Sequence, residues 1–411
     1  MIPLPLGELR SLGLGALDGA ADEVTGVQID SRRVGSGDLF VALGGGRAFL
    51  DDARARGAAA TLVPDDEHAA MAALGRAVRA RSDARVVAIT GSVGKTSTKD
   101  ILAALLRPSM RIVAAEEGFN NEIGLPLTLC RVAPDTQVVV TEMAMRGPGQ
   151  IRELARIARP DLGVITAIAP VHLELLGSLE NIARAKAELL EELPAGAVAV
   201  LPGDAPELEP FVPEGLEVRR FSAPQAEVRD GRTHLLHRGR EVVFAFAARH
   251  QATNAAAALE ACDALGVEPP EGPVEVAFSR WRSQELELPG GGLLINDAWN
   301  ANPVAVRAAL ANLRERAGGR RTVAILGDMA ELGPDAPRYH EELGREAAEL
   351  DLVIGVGALA RHYAPDEWVA TAAEAAALAR ELVRPGDAVL VKASRSVGLE
   401  VVADALAGGA A

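Results

Sequence analysis

The stretch Arg85 to Thr98, RVVAITGSVGKTST, constrains this chain more than any other part of it. Val86 to Ile89 is a short apolar run closed by a glycine turn, which predicts a buried strand. Gly91, Ser92, Val93 and Gly94 make a loop with little side-chain bulk. Lys95, Thr96 and Ser97 then open a segment whose Ile101, Leu102, Leu105 and Leu106 recur with helical spacing. Strand, glycine loop, Lys-Thr and helix is an arrangement that holds phosphate, because the amides and dipole at the helix start favour an anion. Lysine then reaches the terminal phosphates and the threonine hydroxyl reaches Mg²⁺. Ile89 stands where G-x-x-x-x-G-K-[ST] has its first glycine, so the match is to the shorter form T-G-S-V-G-K-T-S. The plainer reading is a glycine turn with a solvated lysine; the order of strand, loop and helix weighs against it.

Basic residues sharpen the point. Of 42 lysines and arginines, only Lys95, Lys99, Lys186 and Lys392 are lysine. A chain that uses arginine for surface charge leaves its lysines for places that need a compact, titratable amine.

The 411 residues predict two or three domains, and 49% apolar residues can fill their cores. No apolar run is long enough to span a bilayer, and MIPLPLGELR lacks the pattern of a signal peptide, so a cytoplasmic location is expected. Cys130 and Cys262 are few and far apart, which fits a reducing compartment. A net charge of −15 argues against nonspecific nucleic-acid binding. Anionic substrates must then be met by local positive sites and Mg²⁺.

Taken in order, residues 1–83 read as a small α/β unit. Strands are expected at Val24 to Ile29, Leu39 to Leu43 and Ala60 to Val63, a helix at Ala53 to Ala60, and a polar linker at Arg76 to Asp83. Asp30, Ser31 and Arg32 close the first of these strands and read most simply as an ordinary turn. Residues 84–282 read as a second α/β unit. Asn120, Asn121 and Gly124 form a polar turn, and Glu142 ends a strand at Gln137 to Val140 beside the glycine loop. There it can hold Mg²⁺ or form an edge salt bridge. His172 follows a strand at Leu162 to Thr166, where a lone histidine is more often structural. Lys186 falls on the apolar stripe of a helix at Ser178 to Leu193, between Ile182 and Leu189. It either snorkels to solvent or is buried with a lowered pKa. A buried neutral amine can take up CO₂ as a carbamate and so offer an oxygen ligand to a second Mg²⁺. Strands are also expected at Val198 to Leu201, Leu216 to Phe221 and Val242 to Phe246. His250 and Asn254 share one face at the start of an alanine-rich helix, to contact a base or to cap.

Residues 283–411 alternate strands and helices as a doubly wound sheet does, with sites at the strand C-termini. The strands are expected at Leu293 to Ile295, Val323 to Leu326, Leu352 to Val356 and Ala388 to Val391. Polar clusters fall at Asn296 to Pro303, Gly327 to Glu331 and Lys392 to Arg395. No G-x-G-x-x-G is present, so dinucleotide binding is not supported.

These segments together resemble the Mur ligase family over nearly the whole chain. TGSVGKTST, TEMA, HLE at 172–174 and AKAE around Lys186 carry the general likeness. FNNEIGLPLTL, NDAWNANP and LGDMAELG carry the likeness to the type that adds D-alanyl-D-alanine. The resemblance implies three domains: a small N-terminal α/β domain (1–83), a central P-loop ATPase-like domain (84–282) and a C-terminal Rossmann-like domain (283–411). It implies an ATP-dependent amide ligase, expected as a monomer, that joins D-alanyl-D-alanine to UDP-N-acetylmuramoyl-tripeptide. By the same resemblance Gly91 to Ser97 hold the ATP phosphates, Thr96 and Glu142 one Mg²⁺, and His172 with carbamylated Lys186 the second. Lys95, Lys186, His172 and Glu142 would be the catalytic set. Asn254 would lie at the adenine, and Arg282 and Asp297 would contact ATP. Asp30, Ser31 and Arg32 match the segment that grips the uridine nucleotide. Asn120, Asn121, Asn300, Asn302, Asp328, Glu331, Lys392, Ser394 and Arg395 would face substrate.

The chain departs from the family pattern in places. After GGGR it reads AFLDDARARG without the usual Asp-Gly-His, and Ala144, Ala167 and Ala169 stand for Gly, Asn and Gly. Pro202-Gly203-Asp204 replaces an Asn-containing turn, and Asn296 replaces the first of two aspartates. Two other readings remain: a ligase with another acyl substrate, such as a folylpolyglutamate synthase-like enzyme, or a noncatalytic nucleotide-binding protein.

Overall fold

The computed structural model describes residues 1–171 and 173–408, and the fold is built on three main sheets. The first runs in the spatial order Gly15–Gly19, Ala60–Pro64, Asp38–Val41, Gly26–Gln28, with only the first pair antiparallel. The single strand expected at Val24 to Ile29 is two pieces, Glu23–Val24 and Gly26–Gln28. The first piece pairs with Leu4–Pro5 and the second with Asp38–Val41, so two different partners divide the chain at Thr25. The helix expected at Ala53 to Ala60 is Leu50–Ala55, ended by Gly57 at φ +98°. The expected linker at Arg76 to Asp83 begins as the last turn of the Glu67–Arg79 helix. Val78 there is buried, and Arg79 donates to the carbonyls of Ala158 and Arg159. Arg79 thus anchors the stretch to the neighbouring unit, while Arg76, Arg81 and Asp83 stay exposed. One continuous apolar core, including Leu39, Leu62, Leu74, Val86, Ala88 and Leu154, joins the first sheet to one face of the second.

The second sheet has six parallel strands in the order Glu217–Phe221, Val198–Pro202, Leu162–Ile165, Arg85–Thr90, Val138–Glu142, Ile112–Ala114. Arg85–Thr90 lies inside it and is buried at every position after Arg85, as its unbroken apolar run requires. The strand expected at Val242 to Phe246 is Arg240–Phe244, part of a separate three-stranded antiparallel sheet with Ala226–Arg229 and Arg232–His237. Its turns, Asp230-Gly231 and Arg238-Gly239, have positive φ at both residues, the hairpin geometry that Asp-Gly favours.

The third sheet runs Gln284–Leu288, Gly292–Asp297, Ala388–Lys392, Thr322–Gly327, Leu352–Val356, Glu367–Val369. Only the Gln284–Leu288 edge is antiparallel. The two edge strands were not expected from the sequence, because they are short and largely polar or exposed. Apolar cores lie on both faces, one under the Pro303–Ala317 and Ala336–Ala347 helices and one under Ala372–Leu382 and Glu400–Ala407. Among the described residues no helix is long and apolar enough to cross a membrane.

Candidate active site

The phosphate loop is shaped by two glycines that admit no side chain. Gly91 has φ +146°, and a Cβ there would lie 1.9 Å from Thr166 Oγ1. Gly94 has φ +85°, and its Cβ would lie 2.2 Å from Asn254 Oδ1. Gly94 caps the Lys95–Leu106 helix without a side-chain cap, and the first turn holds no acidic residue. The helix start is thus free to face an anion. Lys95 Nζ donates to Gly91 O at 2.9 Å, folded back along the loop. Burial lowers the pKa of Lys95; Glu142 opposes the shift and Arg282 adds to it.

Glu142 closes the Val138–Glu142 strand beside this loop. Its Oε2 accepts from Thr96 Oγ1 at 2.9 Å and its Oε1 accepts from Asn120 Nδ2 at 2.9 Å. Among the described residues no three His, Cys, Asp or Glu side chains gather as a metal cage. A hydroxyl and a carboxylate on adjoining elements suit Mg²⁺, which keeps waters and takes its other oxygens from phosphate.

The helix expected at Ser178 to Leu193 is Leu179–Glu191, with Ser178 Oγ accepting from Asn181 N as its N-cap. Lys186 does not snorkel: it is 2% exposed. Burial pushes its pKa well below the usual lysine value, and the nearby Lys95 charge pushes it further down. No hydrogen bond or ion pair joins its amine to another described residue. His172 lies outside the described residues.

A cavity of about 330 Å³ opens over the loop. Ser92 to Ser97, Thr166 and Asn254 form one side, and Asp297, Asn300, Asn302 and Lys392 form the other. Asn254 Nδ2 donates to Gln251 Oε1 at 2.6 Å. Lys392 Nζ donates to Asp297 Oδ2 at 2.5 Å and to Asn300 O at 3.0 Å. Asn302 Oδ1 accepts from Ala305 N and caps the Pro303–Ala317 helix. Arg282 joins the two sides. Its Nη2 donates to Thr96 Oγ1 at 3.3 Å, and its guanidinium lies 5.5 Å from the centre of the Trp299 ring. Burial lowers its pKa against the pull of Glu142, Asp297, Glu117 and Asp100. Its neighbours Trp281 and Ser283 have φ +56° and +51°, a left-handed backbone that L-residues rarely adopt.

Other candidates lie off the cavity. Asp30 accepts from Arg32 N and is paired with the Arg32 guanidinium, which helps hold its carboxyl down to about 2. Arg32 is largely exposed, and Ser31 is buried beside it. Asn121 Oδ1 accepts from the amides of Ile123 and Gly124 and starts the Gly124–Leu129 helix. Asp328 Oδ1 accepts from Ala360 N, and Ser394 Oγ accepts from Ala330 N. Arg395 lies 4.7 Å from the Trp281 ring centre and pairs with Glu400. Glu331 lies 3.9 Å from Arg146.

Sequence reasoning missed the stacked pair Trp281 and Trp299, with ring centres 5.9 Å apart, and the cavity residues Phe221 and Gln251; Asp204, in the turn that departs from the family pattern, also lines the cavity. Aromatic residues are only 3% of the chain, so two tryptophans flanking the Arg282 and Asn296 clusters were a usable signal.

Residues 89–262 match the Mur ligase middle domain, and residues 281–395 match the Mur ligase, glutamate ligase domain. The chain is 37% identical to a UDP-N-acetylmuramoyl-tripeptide–D-alanyl-D-alanine ligase of Mycobacterium bovis, over 99% of this chain and 98% of that one. The crystal structure of MurF from Acinetobacter baumannii superposes with a TM-score of 0.84 at 27% identity, covering 99% of both chains. The MurF ligase of Thermotoga maritima in complex with ADP gives 0.81 at 28% identity, covering 93% of this chain and 97% of that one.

Proposed function

The chain belongs to the Mur ligase family, and from that premise we propose that it uses ATP to join D-alanyl-D-alanine to UDP-N-acetylmuramoyl-tripeptide. The observation that carries this reading is one cavity with a phosphate loop on one side and Asp297, Asn300 and Lys392 on the other. A carboxylate is a poor electrophile. In the first step a carboxylate oxygen of the tripeptide attacks the γ-phosphorus of ATP, and ADP leaves. In the second the dipeptide amine attacks the carbonyl carbon of the acyl phosphate. Phosphate leaves with the electron pair of the broken C–O bond, and the amine proton passes to solvent. Holding three substrates in one cleft replaces encounters in solution by a single oriented complex.

Lys95 and the loop amides neutralise the phosphates in this reading, and Thr96 and Glu142 would hold Mg²⁺, with Asn120 orienting the carboxylate. Bound Mg²⁺ supplies charge that offsets the phosphates. Burial pushes the Lys186 amine toward its neutral form, the form that adds CO₂ and releases a proton to become a carbamate. With His172 it would hold a second Mg²⁺. Arg282 and Asp297 contact the nucleotide, and Asn254 lies toward the base. Asp30, Ser31 and Arg32 meet the uridine nucleotide, and Asn121, Asn302, Asp328, Glu331, Ser394 and Arg395 frame the amine or the nucleotide. In this reading the protein works as a monomer in the cytoplasm.

The test is phosphate release from ATP by purified protein with the UDP-linked tripeptide present and D-alanyl-D-alanine added or withheld. Release that requires the dipeptide is the expected result. Release indifferent to it would send the reading to another amide ligase.

A further inference from the structure

The turn Gly327 to Glu331 follows the Thr322–Gly327 strand and is pinned on several sides. Asp328 Oδ1 accepts from Ala360 N at 2.7 Å, Asp328 O from Ser394 N at 3.1 Å, and Ser394 Oγ from Ala330 N at 2.9 Å. Met329 N donates to Nε2 of His340 at 3.0 Å. His340 is fully buried on the Ala336–Ala347 helix, and its Nδ1 lies 2.6 Å from Ala336 O. A donor facing Nε2 and a carbonyl facing Nδ1 permit one form of the ring, neutral with its proton on Nδ1. A second proton would make Nε2 a donor against the Met329 N–H, and that bond would be lost. The ring also packs 4.8 Å from Tyr363, whose hydroxyl donates to Gly327 O at 3.3 Å.

This turn is also where the second and third sheets' units meet. Glu174 N donates to Glu331 O at 3.5 Å, and a Cβ on Gly333 would lie 3.4 Å from Glu174 Cα. Glu174 precedes the helix that carries Lys186, and Ser394 follows the cavity residue Lys392 by two positions. In the ligase reading Asp328, Glu331, Ser394 and Arg395 frame the amine or the nucleotide, and all four lie on this turn or on the segment bonded to it.

We propose that His340 is a positioning residue which, as a neutral Nδ1-protonated imidazole, holds the Gly327–Glu331 turn in the shape that receives the amine substrate. The proposal rests on the ligase reading above. The groups that face the ring are the Ala336 carbonyl on its own helix, Asp328 from the turn, and His362 and Tyr363 from the Leu359–Tyr363 segment. Burial lowers the imidazole pKa most, His362 adds to the shift, and the Ala336 bond and Asp328 oppose it. The proton that would break the Met329 bond is thus taken up only below the ordinary histidine range.

The test compares the full-length protein with His340→Gln, which keeps an acceptor for Met329 N but cannot titrate, and His340→Phe, which keeps neither. KM values for D-alanyl-D-alanine and for ATP are measured against pH, with hydrogen exchange at the Met329 and Ala330 amides. The parent should show KM for the dipeptide rising on the acid side of the histidine range, and His340→Gln should lack that rise. Titration of the dipeptide's own amine is common to both proteins and cancels. His340→Phe should raise KM for the dipeptide about tenfold, as loss of a buried bond allows, with KM for ATP unchanged. Exchange at Met329 should speed up in His340→Phe, and in the parent at the same acidic pH. An acid rise that persists in His340→Gln, or the two KM values rising together in it, would overturn the proposal. Should His340→Phe fail to fold, the His340→Gln profile decides alone. Should the parent ignore the dipeptide, the ligase reading fails separately, and unchanged exchange at Met329 on acidification would then reject the role of His340 in the turn.

Discussion

Lys186 and Lys392 are equally buried, each 2% exposed, yet their surroundings are opposite. Lys392, on the third sheet, is clasped by Asp297 and the Asn300 carbonyl. Lys186, on the Leu179–Glu191 helix, meets no carboxylate among the described residues, and the charge that acts on it is that of Lys95. Lys99 follows the first pattern, paired with Asp100 at 2.7 Å and donating to Ala115 O. A carboxylate partner compensates the charge of a buried amine. One without such a partner is pushed toward its neutral form and becomes available for chemistry. Burial alone therefore does not tell a structural lysine from a reactive one; the partner does.

Lys95→Ala should have the largest effect. It removes the amine that lies along the loop, and dipeptide-dependent phosphate release should fall by about 10³-fold, the scale for losing one group that stabilises developing charge. Lys186→Ala should lower the same rate by about 10²-fold, and short carboxylic acids should restore part of it by taking the place of a carbamate. Lys392→Ala should be insensitive to those acids; equal rescue of both would erase the distinction between the two amines.

The contrast also sets the sign of two stability changes. Asp297→Ala leaves a buried ammonium with only a carbonyl and should destabilise the protein by about 3 kcal/mol, read by denaturant titration. Lys186→Met, in CO₂-free buffer, should instead raise the melting temperature near neutral pH. The folded-state pKa of Lys186 lies below its unfolded value, so between the two the unfolded chain binds more protons and stability increases with pH. The methionine variant should lack that increase on approach to the ordinary lysine range. The smallest effect is expected from Ser178→Ala, which removes the N-cap of the Lys186 helix and should cost about 1 kcal/mol by the same titration.

Elements with a strong local period were legible in the sequence. Arg85–Thr90, Lys95–Leu106 and Leu179–Glu191 lie within a residue or two of their expected bounds. The split at Thr25 and the edge Glu367–Val369 were not, because partners farther along the chain define them. The hairpin sheet from Ala226 to Phe244 and the edge Gln284–Leu288 pair with near neighbours, but their strands are short and largely polar or exposed. At the site, the loop, Thr96 and Glu142 follow from motif and spacing. Asn121 and Asp328 look the same in sequence as Asn120 and Asp297, but the structure places their side chains on backbone amides.

The sequence by itself determined the phosphate loop, the alternating α/β pattern and the short list of lysines worth examining. These depend on neighbours within a few residues, or on composition. Only the tertiary structure decided that Lys186 turns inward while Asp297 claims Lys392, and that Arg282 reaches from the third sheet's edge to Thr96. Those outcomes depend on which charges are brought together across 90 to 200 positions of chain, and on the loss of water around them, neither of which a local pattern carries.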